Sequence, residues 1–296
     1  MVQQKVKYTD TERTPAERAR ALLEEMTLDE KMAQLGCIFP FGDSYDDMEQ
    51  QALEMPYGIG QVSTLEMRRI GTLEEAAGWQ RKMQETVMRQ SPHHIPAIFH
   101  MEGLCGAFIQ EGTSFPSGIA RGSGWDPELE EKIAKVVAKQ EAACGITHIL
   151  APVLDISRDS RMGRQGETYG EDPALAAALG AAYTKGIQTT EAGGRRPESV
   201  AKHFLGFHNS QGGIHGTNSD TPSRLMEEIY GTTQKLRTIA LSKEINLRYF
   251  ENGDVGISVD ETTTRADANL IVNLFGIAAE ETTHDTGEIP ETASLP

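Results

Sequence analysis

The chain has 296 residues, 38% of them apolar and 6% aromatic, and carries a net charge of −16. That length suits one (β/α)8 barrel of about 250 residues and leaves no room for a sizeable second domain. The acidic balance argues against nucleic acid and anionic membranes as partners, and no run of apolar residues is long enough to cross a bilayer. The start, Met1 to Asp10, has no apolar run of the kind a secretory signal carries. Cys37, Cys105 and Cys144 have neither disulfide-framework nor zinc spacing, so a reducing, cytoplasmic location is expected.

In chain order, Thr14-Pro15 opens a helix to about Met26, with Ala19, Leu22, Leu23 and Met26 on one face. Thr27-Leu28-Asp29-Glu30 is a capping box for a second helix, whose apolar face includes Met32 and Leu35. Gly58–Val62 is a short strand, Thr72 caps a helix to about Met88, and Ile95–His100 is a second strand. Pro127 opens a helix to about Ala143, and Gly145 stops it before a strand over Ile146–Leu154. Pro173 opens another, to about Ile187, followed by a strand over Ser199–Phe204. Strands alternating with helices predict a parallel sheet closed into a TIM-type (β/α)8 barrel. The order breaks after Tyr230 at Gly231-Thr232-Thr233. A helical pattern returns with Leu270, Ile271, Leu274 and Phe275, and residues 277–296 hold acids and no Lys or Arg, which predicts a disordered tail.

The densest chemistry lies in Arg158–Pro173, where Arg158, Arg161, Arg164 and Gln165 stand beside Asp159, Glu167, Glu171 and Asp172. Such a segment makes no sense as a core element. It follows the apolar run Ile149–Asp155, and a charged, glycine-bearing loop after a buried strand is where α/β proteins place ligand-binding groups. Arginine adds a planar fork that holds vicinal hydroxyls or a carboxylate in fixed geometry. A surface salt-bridge network explains the same composition, and composition alone does not choose between the two.

Together with Lys202-His203-Phe204, the block resembles the barrel of glycoside hydrolase family 3, the β-glucosidases and β-xylosidases. The family carries Arg-Asp-Pro-Arg-Trp-Gly-Arg…Glu…Gly-Glu-Asp-Pro and then Lys-His-Phe. The resemblance runs from residue 14 to about 230, through Leu22–Lys31, Ile95–Leu104, Thr113–Pro116, Trp125–Leu129 and Leu150–Asp155. It implies a retaining glycosidase of carbohydrate metabolism acting on a β-linked glycoside or oligosaccharide. In that geometry two carboxyl groups flank the bond at about 5–5.5 Å. By the same resemblance Glu102, Arg164, Lys202 and His203 hold the sugar, and Glu167 positions Arg164. Singly, Glu102 reads equally as a helix-start carboxylate, Lys202 as a snorkelling strand-end residue and His203 as a core histidine. At three successive strand ends, the shared sugar site is the better account. No cofactor, metal or nicotinamide site is expected.

The chain departs from the family at Met162, where the family has Trp, and at Cys105, where it often has His. Residues 246–276 look like the family's last helices, which would place the barrel over 1–276 with an internal block missing, including the strand that ends in the nucleophile. Asp260 then stands as nucleophile candidate, against the plainer role of capping the helix after it. Asp220 is a weaker alternative. For a general acid, His208 and His215 are the available groups, and the Asp-Ser-His motif of the family's hexosaminidases is absent from the loop after His203. Three functions follow: a β-glucosidase or β-xylosidase barrel with a deletion, a compact β-N-acetylhexosaminidase, or a silent sugar-binding barrel. A second copy covering an open barrel edge is a further expectation.

Overall fold

The computed structural model describes residues 7–40, 45–190 and 196–226, with Ile229, Arg248–Tyr249 and Val255–Gly256 besides. They belong to two compact units. The first holds the chain up to His100 with Ile109–Glu111 and Cys144–Ile146, and the second holds Met101–Phe108, Gly112–Ala143 and the chain from Thr147 on.

In the first unit, α1 (Pro15–Glu25) and α2 (Leu28–Gln34) both begin with a complete capping box, at Thr14 with Glu17 and at Thr27 with Glu30. The faces these helices bury match those expected only in part. Ala21 and Met26 are buried, whereas Leu23, Met32 and Leu35 are exposed. On α2 the buried side chain is Glu30, which turns back to accept the Thr27 N–H at 2.7 Å. The cap, not apolar periodicity, decides the orientation of so short a helix.

Next come β1 (Cys37–Ile38), α3 (Tyr45–Leu53), β2 (Gln61–Ser63), α4 (Leu73–Gln90) and β3 (Ile98–Met101). β1 pairs in parallel with β2, Cys37 opposite Gln61, and β2 with β3, Gln61 opposite Ile98. α4 buries Ala76, Trp79, Met83 and Val87, spaced for one helical face, and Trp79 meets Phe99 edge-on at 6.4 Å. β1 and α3 went unanticipated: one has two residues, and the other is too polar to show a clear apolar period.

The second unit contains α5 (Gly118–Gly122), α6 (Pro127–Ala143), β4 (His148–Ile149), α7 (Pro173–Gln188) and β5 (Glu198–Ser199), with β4 and β5 parallel. Its core is α6 against α7: Ile133, Ala134, Val137 and Ala138 pack with Tyr183 and Ile187 over Ile149 and Ala151. Gly186 permits this approach, since a Cβ there would lie 2.6 Å from that of Ala134. The strands expected over 146–154 and 199–204 are interrupted. Pro152 has no N–H for the ladder, and pairing resumes where the Leu154 N–H donates to the Lys202 carbonyl at 2.7 Å.

Parallel strands alternating with helices make this an α/β fold of the TIM-barrel type, and the described residues supply five such strands, β1 to β5. β6 (Arg248–Tyr249) and β7 (Val255–Gly256) pair antiparallel. Val255–Gly256, shortly before Asp260, are therefore not paired as a parallel barrel strand. Asp260, the helical pattern near Leu270 and residues 277–296 lie outside the described residues.

Candidate functional site

The segment after β4 is shaped by local hydrogen bonds. Asp159 caps the turn Ser160–Met162 by accepting the Arg161 N–H at 3.0 Å, and Gly163 follows with φ +81°, a conformation that suits only glycine at low cost. The chain then turns through Gln165–Glu167, and the Ser157 N–H donates to the Gly170 carbonyl at 3.1 Å, closing the loop. Asp172 accepts two N–H groups at the start of α7. These devices bring Arg164 to the same place as the chain that follows β5.

Arg164 makes a two-pronged pair with Glu167, Nε to Oε1 and Nη2 to Oε2, both at 2.6 Å. Burial raises the Glu167 carboxyl, but the Arg164 pair together with the Lys202 and His203 charges outweighs it, so Glu167 lies below the ordinary carboxylate range. Arg164 is correspondingly held in its charged form, chiefly by Glu167 and further by Glu102 and Asp155. Lys202 donates to Glu102, which immediately follows β3. The His203 Nδ1 and its backbone N–H both meet Asp155 Oδ2, at 2.8 and 3.3 Å. A carboxylate only accepts, so Nδ1 carries the hydrogen, and Nε2 is uncommitted among the described residues.

Glu102, Arg164, Lys202 and His203 are thus brought together in the second unit. The sequence missed two members of the group. Asp155 is buried and orients His203, and its signal was its position just past the apolar strand. Phe207 lies under the Arg164 guanidinium at 5.1 Å and against the His203 ring at 4.2 Å. Met162 is buried, so Phe207 rather than residue 162 provides the aromatic face here. Arg158 is exposed, and Arg161 pairs with Asp159 at the surface, so the plain salt-bridge account holds for Arg161. His208 is almost wholly buried, and burial lowers its proton affinity although Asp155 opposes this; it is a poor proton donor. His215 is exposed with its ring edge-on to Phe207. Asp220 is exposed, in an irregular segment, accepting from Gln211.

Around a sugar, this arrangement offers cationic donors, a carboxylate and an aromatic face, with one carboxylate (Glu167) already committed to an arginine. The model of the glycosyl hydrolase family 3 N-terminal domain matches residues 27–235, and the chain belongs to that family. A β-xylosidase of Formosa agariphila is 36% identical over 145 residues, which are 46% of this chain and 20% of that protein. The solved structure of a β-glucosidase from Erythrobacter marinus superimposes with a TM-score of 0.69 at 30% identity, covering 79% of this chain and 32% of that one. The chain therefore spans about a third or less of the length of these relatives. A separate similarity joins 64 residues, 22% of this chain, to 7% of the glycine dehydrogenase (decarboxylating) of Bacteroides fragilis, at 57% identity. The family match leaves residues 236–296 outside it, a stretch of much the same length.

Proposed function

We propose that this chain carries the sugar-gripping half of a retaining β-glycosidase site, for β-linked glucosides or xylosides. The observation that supports this most is the unspent hydrogen-bonding capacity of the cluster. Lys202 uses one donor on Glu102, Arg164 keeps Nη1 after satisfying Glu167, and His203 keeps Nε2. Charged donors of this kind strengthen their hold on sugar hydroxyls as an oxocarbenium-like transition state forms. Asp260, the nucleophile candidate, falls beyond the family match and outside the described residues. The similarity to glycine dehydrogenase belongs, in this reading, to the C-terminal stretch that begins within a few residues of the family match's end at 235, so the barrel-related chain ends near there and not at 276. A reducing, cytoplasmic location accords with three cysteines that form no disulfide, and the net charge of −16 accords with a partner other than nucleic acid.

Binding without turnover is the expected behaviour. Removal of a nucleophile abolishes covalent catalysis but leaves ground-state contacts to hydroxyls. Calorimetry with glucose and xylose, beside a nitrophenyl-glycoside assay, tests it. Failure to bind either sugar overturns the proposal. Turnover that disappears in Asp260→Asn would instead restore Asp260 as the nucleophile. A chain ending at residue 235 is expected to bind sugar as the full chain does.

A further inference from the structure

α6 carries two buried carboxyls, and they are treated differently. Glu130 is fully partnered by Arg121 and Tyr169. Glu141 is on the same buried face as Val137 and Ala138, has no solvent exposure, and neither of its oxygens has a hydrogen-bond partner among the described residues. Such a group is costly in its neutral form and far more costly charged.

Its neighbours explain where it acts. Gly103, the residue after Glu102, has φ +70°, and a Cβ there would lie 3.4 Å from both Glu141 Oε1 and the Tyr183 hydroxyl oxygen. That hydroxyl donates to the Gly103 carbonyl at 2.6 Å, itself wholly buried. Glu141, Gly103 and Tyr183 therefore form one small packed group behind the turn that presents Glu102 to Lys202. The charged and titratable groups around Glu141 and Tyr183 are Glu102 and Cys105 from that turn, and the Arg121–Glu130 pair of α5 and α6.

We propose that Glu141 is a positioning residue for the sugar site: as an uncharged carboxylic acid packed behind the Glu102-Gly103 turn, it holds the Glu102 carboxylate against Lys202, and does so only while it keeps its proton. This rests on the reading of Glu102 and Lys202 as sugar contacts. Burial, and after it the negative charge of Glu102, push Glu141 well above the ordinary carboxylate range. The folded chain thus holds this proton more tightly than the unfolded one. Glu141 costs stability progressively as pH rises above its ordinary value of 4.5 toward its raised one. Ionisation would set a second negative charge behind Glu102 and displace the turn.

Two measurements test this in the full-length chain. Infrared titration, with Glu141→Gln to assign the band and Glu141→Met if that variant does not fold, should find a protonated carboxyl at neutral pH. In Glu102→Gln that band should ionise at lower pH, because the repelling charge is gone. A missing band, or a titration unmoved in Glu102→Gln, overturns the proposal. Calorimetry with glucose or xylose should show affinity falling about fivefold or more as Glu141 ionises, and Glu141→Gln should keep its neutral-pH affinity while losing that alkaline fall. An identical fall in both proteins assigns it to Lys202 and overturns the proposal. If neither sugar binds at any pH, the proposed function fails, and the infrared comparison still decides whether Glu141 and Glu102 are coupled.

Discussion

Two clusters in the second unit use the same side chains to opposite ends. Arg121 and Glu130 are 8% and 1% exposed; Nε bridges both Glu130 oxygens at 3.1 and 2.9 Å, Nη1 reaches the Leu104 and Pro116 carbonyls, and Tyr169 donates to Glu130 at 2.6 Å. Arg164 and Glu167 are 33% and 25% exposed, and beside them the Lys202, Glu102, His203 and Phe207 side chains keep faces and donors to spare. The first cluster is turned inward: Nε and Nη1 of Arg121, both Glu130 oxygens and the Tyr169 hydroxyl are bonded within the protein, so its part is to specify packing. The second is open, and its remaining capacity is what a ligand would use. Ion pairs alone do not mark a site; unspent donors beside an aromatic face do.

The largest effect that would break this comparison is on stability. Arg121→Ala strands the Glu130 carboxylate in the core and is expected to cost about 3–5 kcal/mol in denaturant unfolding. A loss no larger than that of a surface substitution would mean the inward-turned cluster is not structural. Lys202→Ala and Arg164→Ala should do the reverse, with folding close to the parent chain. Each removes a charge-assisted bond of about 1.5–3 kcal/mol, so glucose or xylose binding should weaken roughly ten- to a hundredfold by calorimetry. Equal damage to folding and binding would erase the distinction between the two clusters.

A smaller effect follows from Glu167. Its carboxyl lies below the ordinary 4.5, so its contribution is present above that pH and lost as pH falls through the lowered value. Sugar affinity should therefore decline on the acid side, and Glu167→Gln should already bind weakly at neutral pH and show less of that decline. An unchanged acid limb in the variant would free Glu167 of the positioning role. The smallest effect is expected at Arg161→Ala. Its partner Asp159 is partly exposed at the surface, with a carboxyl drawn down to about 2 by the Arg161 guanidinium and backbone N–H, and neither binding nor folding should change measurably. A clear loss of binding there would extend the open cluster to the whole arginine block.

Helix starts were legible because capping is local. Thr14, Thr27, Thr72 and Asp172 all cap helices, and α6 runs over the residues its Pro127 and the Gly145 stop delimit. Strand lengths were less legible, since Pro152 interrupts the ladder after β4 and two-residue strands show no period. In the site, the motif order pointed to Glu102, Arg164, Lys202 and His203, because each stands in a recognisable block of residues after a strand, Glu102 directly after β3 and Lys202-His203 shortly after β5, with Arg164 in the longer loop after β4.

What the sequence alone determined, then, is the alternation of strands and helices, the family's motif order and the residue types gathered at strand ends. All of these depend on neighbours within a few positions. Tertiary structure alone decided that Phe207 supplies the aromatic face of the cluster. It also decided that Asp155 orients His203 and that Glu141 is buried without a partner behind Glu102. Those pairings join residues about forty to fifty positions apart, from Asp155 to His203 or Arg164 to Phe207, and spacing along a chain does not encode them. They exist because folding brings separate strand ends together and excludes water from some carboxyls and not from others.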